Sequence, residues 1–256
     1  MEALVLKVNH YLPATSLVTM LTPDYGLVKS FFRNSKKYTQ SRANFQIGQL
    51  LELEIECFDA DKRILSIKGF SIKKNFIFKN DLYGHWILHN YWAEVLVKTE
   101  QDIALAKDLF LMSQQIFYFS GSLLNFGNML LPTLLNYLKD VGYQLEYSKC
   151  LKCDKSTYQT NNGGEINYRK QIYQIVANEQ GFLCQDCHYH EYNFFNYQAW
   201  IIKYLLLTQQ GKAVKLGFKH QKLVFSLLNH CMGIYFNLKL TSWRSVNNLY
   251  EQLKIS

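Results

Sequence analysis

Four cysteines in two pairs carry the most specific chemistry in the sequence: Cys150-Leu151-Lys152-Cys153 and Cys184-Gln185-Asp186-Cys187. A C-x-x-C step lets two thiolates converge on one ion. Two such steps complete a tetrahedral shell that suits zinc and leaves no open coordination position, so the implied role is structural. The segment between the pairs is longer than a usual zinc ribbon's. It contains Asn161-Asn162-Gly163-Gly164, which can turn a hairpin, and Gly181, which permits a close approach to the second knuckle. Redox dithiols or disulfides are the competing use. Cys184-Gln185-Asp186-Cys187-His188 also matches the c-type haem attachment pattern, but haem would need export and would leave Cys150 and Cys153 without a role. His188 and His190 could replace a cysteine ligand; exposed histidines beside a knuckle are the simpler reading.

A second constellation is electrostatic. Between Ser30 and Glu52 there is no acid, while Lys29, Arg33, Lys36, Lys37 and Arg42 alternate with Phe31, Phe32, Tyr38 and Phe45. Cations for phosphates and aromatic faces for bases are the two components of single-strand binding. Lys62, Arg63 and Lys68 extend this basic character, with Lys73 and Lys74 beyond them. The bland alternative makes Phe31 and Phe45 core residues and the lysines a solubilising loop.

Other patterns are weaker. The chain has no G-x-x-x-x-G-K-[ST] loop, no G-x-G-x-x-G after a strand and no H-E-x-x-H. His85 and His89 stand four apart on a predicted helix and read as surface histidines. The carboxylates Glu52, Glu54, Glu56, Asp59 and Asp61 could form a magnesium-binding nuclease cluster, but strand alternation and turn chemistry account for them. Cys57 and Cys231 are isolated and read as buried residues.

These residues need elements to hold them. Leu4–Val8, Ser16–Thr22, Leu27–Arg33, Gln49–Cys57 and Ile64–Phe70 read as five strands, with Pro23-Asp24-Tyr25-Gly26 as a tight turn. Five short strands in this span suggest a small closed barrel, of which the OB fold is the common oligonucleotide binder and an SH3-like barrel the alternative. Beyond about residue 80 the period becomes helical, near residues 83–97, 101–119, 130–139, 194–209, 221–236 and 241–253. Pro132 fits a first helical turn and Gly142 a C-terminal cap. The expected class is α+β: an OB-fold domain over residues 1–80, then a helical domain over 81–256 with an inserted zinc unit at about 147–190.

The formal charge is +8 over 256 residues. Residues 1–80 hold twelve Lys and Arg against seven acids, so the charge is densest there and favours a polyanion. The N-terminus carries an acid where an export signal carries its basic region, and no apolar run reaches membrane length, so a cytoplasmic protein is expected.

In order and length these parts resemble the RecO family of bacterial recombination mediators. Val18-Thr19-Met20-Leu21-Thr22-Pro23-Asp24-Tyr25-Gly26-Leu27-Val28 is similar to the family's barrel hairpin. The run Leu134-Leu135-Asn136-Tyr137-Leu138-Lys139-Asp140-Val141-Gly142-Tyr143, leading to Cys150, is similar to its helix, glycine and cysteine order. Arg33-Asn34-Ser35-Lys36-Lys37 departs from the family's frequent Gly-Ala-Arg run, and Asp154 stands where relatives often have Gly. The resemblance implies a non-enzymatic, nucleoid-associated protein that binds single- and double-stranded DNA and anneals complementary strands. It also implies RecR as a partner and help in loading RecA onto DNA coated by single-stranded DNA-binding protein (SSB). SSB's acidic, apolar-tipped tail could meet Lys212, Lys215, Lys219 and Lys222 beside Leu216 and Phe218. The rivals are a zinc-ribbon RNA-binding or ribosome-assembly factor and a metal-dependent nuclease.

Overall fold

The computed structural model describes residues 1–12, 15–33, 45–75, 82–99, 103–160, 166–168, 172–176, 180–187 and 196–253. They form two compact units, Met1–Gly127 with Leu240–Ser256, and Asn128–Lys239.

In the first unit, β1 (Glu2–Leu12), β2 (Thr15–Thr22), β3 (Gly26–Arg33), β4 (Leu50–Asp59) and β5 (Ile64–Lys74) close into a barrel in the order β1-β2-β3-β5-β4. The expected turn joins β2 to β3: Gly26 takes φ +64°, and the Thr22 hydroxyl accepts from the Tyr25 N–H and donates to the Gly26 carbonyl. Closure comes from antiparallel β1–β4 pairing, with Ala3 opposite Leu51, and from one parallel step between β3 and β5, Lys29 opposite Ile64. Val5, Val18, Met20, Val28, Leu51 and Leu65 fill the interior. Phe45 joins them and packs on Phe32 and Phe70.

The strands do not alternate throughout. In β1 the register slips between Val5 and Lys7, an extra residue that reverses which face the following side chains take. Ala3 and Val5 point inward, Lys7 outward, and Val8 inward again. A similar slip between Ile55 and Cys57 in β4 corrects one expectation, because it leaves Cys57 exposed while Phe58 packs against the interior. Cys231 is buried as expected.

The helices are α1 (Leu82–Lys98), α2 (Ala106–Phe117), α3 (Leu123–Asp140), α4 (Ala199–Gln209), α5 (Phe218–Tyr235) and α6 (Trp243–Gln252). α1 packs on β1, and α2 on β2 and β3, so β1 buries Leu4 and Leu6 on its outer face as well as Val5 on its inner one. α3 starts earlier than its period suggested, and Pro132 lies inside it instead of in its first turn. Leu123, Phe126, Leu130, Leu134 and Tyr137 form one buried stripe along α3, and that packing outweighs the hydrogen bond a mid-helix proline removes. Gly142 does end the helix: at φ +87° it bonds to the Lys139 carbonyl while Tyr143 bonds to that of Leu138, a paired C-terminal cap. Among the described residues no helix is long and apolar enough to cross a membrane.

Of the i, i+4 histidines on α1, read as surface residues, His89 is buried and His85 half-buried. His89 is 3% exposed, stacks on Phe117 and lies tilted against Phe126, and has Nε2 3.0 Å from the Ile116 carbonyl; His85 stacks on Phe126 and has Nε2 3.0 Å from the Gly121 carbonyl. Burial pushes the His89 pKa down to about 4. The unfolded chain then binds a proton below about pH 6.5 that the folded form refuses until about 4. Stability is therefore full above 6.5 and falls as the pH drops through that window, by about 3 kcal/mol. Denaturant melts between pH 7 and 4 should show this slope, and His89→Phe should flatten it. Glu94 gives a separate, lower window. Against the penalty of burial, bonds from Lys98, Ser242 and Thr241 hold its carboxyl down to about 2, so its contribution is lost only as the pH falls from about 4.5.

Candidate metal centre and nucleic-acid interface

In the second unit β6 (Glu146–Cys150), β9 (Ile172–Val176), β10 (Gly181–Leu183) and β11 (Asn196–Gln198) make a sheet in the order β11-β9-β10-β6. β7 (Tyr158–Thr160) and β8 (Ile166–Tyr168) form the expected hairpin; its turn residues, Asn161 to Gly164, lie outside the described residues. β6 and β10 run parallel, so their C-terminal ends, each carrying a cysteine knuckle, meet at one edge.

There the four sulfurs of Cys150, Cys153, Cys184 and Cys187 lie within 4.8 Å of one another. Cys153 Sγ and Cys184 Sγ are 3.7 Å apart. A tetrahedron with zinc–sulfur arms of about 2.3 Å has edges of about 3.8 Å, whereas a disulfide would bring two sulfurs to about 2.0 Å. All four are free thiols. The cluster is compatible with a bound metal ion and matches the spacing of a closed four-ligand shell.

The backbone prepares this edge. Cys150 N–H donates to the Lys155 carbonyl, Leu151 N–H to that of Phe182, and Asp154 N–H to that of Cys150, which curls the first knuckle. Asp154 holds φ +54°, the left-handed conformation glycine favours, and its carboxylate is 2.6 Å from Lys149 Nζ. Gly181 is required for contact: a Cβ there would stand 2.7 Å from the Leu151 side chain. Residues 185–187 form a 3-10 turn that brings Cys187 round beside Cys184, and Lys155 ties this turn to the first knuckle through Asp186 at 2.9 Å.

Burial works against ionising the Cys150 thiol, but N–H donors from Cys184, Cys153 and Lys152 bring its pKa down to about 7. Cys187 is pushed up to about 12, by its neighbour Cys153 first and then by burial. Four sulfurs this close compete for negative charge. A divalent cation among them would remove that competition. His188 and His190 lie outside the described residues.

The other constellation lies in the first unit. Lys29, distant in sequence from Lys62 and Arg63, lines one cleft of about 520 Å³ with them and with Lys7, Asn9, Leu17 and Thr19. The β4–β5 turn reaches β3 because the Lys29 N–H donates to the Arg63 carbonyl at 2.9 Å. Arg63 itself holds φ +50°, fixed between that bond and its own N–H bond to Ala60. Four cations and one acid, Asp61, line the cleft. Val97 and Thr99 at the end of α1 form part of its wall.

Phe31 stands on the same face of β3 as Lys29, opposite Leu17, and is 53% exposed. Phe45 is 8% exposed and belongs to the barrel interior. The two aromatics that composition left equivalent are thereby separated. Lys68 is exposed at a register slip in β5 and does not line the cleft. Lys73 pairs with Glu2 at 2.8 Å, and Lys74 sits 3.8 Å over the Tyr118 ring, so both are engaged within the fold. The Arg33 backbone ends β3, whereas its side chain and the residues Lys36, Lys37, Tyr38 and Arg42 lie outside the described residues. Lys7 escaped the sequence reading; its only signal was a lone cation in an apolar strand.

In the second unit, Lys212, Lys215 and Lys219 are exposed, while Phe218 and Lys222 are half-buried. Leu216 faces inward, 8% exposed, clamped by Asn128 through both its N–H and its carbonyl and by Gln221 through the carbonyl. From Tyr192 to Tyr250 the sequence has no acid, a charge asymmetry that whole-domain totals conceal.

The nuclease carboxylates do not converge. Asp59 caps the β4–β5 turn through the Lys62 N–H, and among the described residues the cysteines are the one group of three or more metal-ligating side chains. No protein-family model matches the chain, and no curated protein is found to match it.

Proposed function

We propose that this protein is a RecO-like recombination mediator that binds DNA strands and anneals them without bond chemistry. One observation carries the reading: a closed five-stranded barrel whose surface gathers Lys7, Lys29, Lys62 and Arg63 into one cleft lined by one acid, Asp61, with Lys62 also paired to Asp59 at 3.4 Å. The order β1-β2-β3-β5-β4, with β3 and β5 parallel, supports an OB-fold assignment, and this fold presents its β2–β3 face to oligonucleotides. Cations held on a rigid barrel neutralise phosphates and release their counterions. Two strands so neutralised no longer repel, which lowers the barrier to pairing.

The four-cysteine cluster supports one structural zinc per chain. Its ligands are Cys150, Cys153, Cys184 and Cys187, whose all-sulfur donor set is the soft one zinc favours. RecR, the SSB tail and, indirectly, RecA are the proposed partners. The exposed lysines 212, 215 and 219 offer the tail's acids a counter-charge; the inward Leu216 leaves Phe218 as the apolar contact. The protein acts in the cytoplasm, on the nucleoid.

Annealing of complementary labelled DNA strands tests the reading. The protein should speed duplex formation at moderate salt, leave both strands uncut in magnesium, and retain RecR and SSB but not tail-deleted SSB in a pull-down. Cleavage in magnesium, or tight binding to RNA with no annealing of DNA, would overturn it.

A further inference from the structure

A second cleft of about 370 Å³ adjoins the basic one, and the two share Lys7 and Val97 as a common border. Its walls come from α1, from Leu6 of the barrel and from Thr241, Ser242 and Ser245 at the start of α6. Trp86 lines it and is 47% exposed. Tyr83, 62% exposed, stacks beside Trp86 with ring centroids 6.4 Å apart and planes 20° from parallel. The acid there, Glu94, is occupied: its carboxylate accepts from the N–H and hydroxyl groups of Thr241 and Ser242 and pairs with Lys98 at 2.8 Å.

We infer that the cleft lined by Trp86 extends the single-strand path out of the basic cleft, with Trp86 as a base-stacking residue and Tyr83 backing its ring. The inference rests on the DNA-binding reading of the basic cleft. The occupant follows from continuity and chemistry. A strand leaving Lys29 and Arg63 passes Lys7, which borders both clefts, and then meets an exposed indole in a groove whose carboxylate is already neutralised. Phe31, on the same face of β3 as Lys29, and Trp86, in the cleft beyond Lys7, add aromatic faces to phosphate-holding charges, the combination that single-strand binders use. An acidic peptide would meet only Lys7 at the border of this second cleft, because its other lining cation, Lys98, is committed to Glu94.

Fluorescence titration of the full-length protein with oligo(dT) of increasing length tests the path. Trp86 is one of four tryptophans. Wild-type affinity should keep rising to lengths at which Trp86→Ala has levelled off. At long lengths Trp86→Ala should bind about tenfold more weakly, at the shortest binding length it should equal wild type, and Trp86→Phe should restore most of the loss. The salt slope should hardly change. If Trp86→Ala matches wild type at every length while Lys29→Ala with Arg63→Ala weakens binding, the extension is wrong and the basic cleft stands. If both variants bind like wild type, the strand runs elsewhere and both the basic-cleft site and this extension fail; if the wild type itself binds no oligonucleotide, the DNA reading fails. Loss of SSB-tail peptide binding by Trp86→Ala, with the oligonucleotide length series unchanged, would assign the cleft to a peptide and overturn the inference.

Discussion

Cys150→Ser should unravel the knuckle edge of the second unit while the barrel stays folded. Cys150 and Cys184 are 0% and 1% exposed, and the Cys184 N–H points at Cys150 Sγ from 3.4 Å, so the substitution removes an interior sulfur that the backbone uses and that the proposed metal would need. Beyond the sulfurs, that edge has a small apolar cluster of Leu183 with Leu151 packed against it. Ligation of a structural zinc by four thiolates is worth about 10 kcal/mol or more of coupled folding free energy, far above what such a cluster supplies. Amide exchange across residues 146–187 should rise toward unfolded rates in Cys150→Ser and Cys187→Ser, with the strands of the barrel unchanged. Elemental analysis should give one zinc per wild-type chain, and Cys57→Ser should keep it, because Cys57 lies on β4 of the other unit. A metal-free wild type with the same exchange pattern would remove the structural role.

Neutralising the cleft should be the largest effect on DNA. Replacing Lys29, Lys62 and Arg63 by Ala leaves Lys7 as the cleft's one cation beside Asp61, removes the partner of Asp59, and on the proposed reading costs the strand three phosphate contacts. Each lost contact on single-stranded DNA should make the log-affinity against log-salt slope shallower by about 0.7, so the triple variant should differ by about 2 and bind all sequences more weakly by at least tenfold at low salt. Arg63 needs care, since its backbone holds the β3–β5 step. Its side chain can be changed without that bond, but the melting temperature should be followed alongside affinity. Annealing should fall in parallel with binding. A triple variant that melts normally and keeps both the wild-type slope and annealing rate would place the strand elsewhere, with the segment from Lys36 to Arg42 the next place to look.

Local chemistry was legible from the sequence itself. C-x-x-C spacing depends on bonds a few residues long, so the two knuckles, the Gly26 turn and the Gly142 cap could be read directly, and the structure carries each of them; the close approach read at Gly181 is there too, but against Leu151 of the first knuckle. The barrel strands and most helices followed for the same reason, because hydrophobic period is a local property. What failed were properties set by partners distant in sequence. Alternation extended from Leu51 and Leu53 would bury Cys57, but a register slip against β5 turned its side chain out. His89 looked like a surface residue until Phe117 and Phe126 closed over it, and Pro132 looked like a helix start until the buried stripe carried α3 through it. The sequence supplied the basic residues, but the single N–H bond from Lys29 to Arg63 brings β3 and the β4–β5 turn to one cleft. That pairing joins residues more than thirty positions apart, and no periodicity in the chain encodes it. The sequence determined which charges and thiols exist; strand register and helix packing decided which of them face the same space.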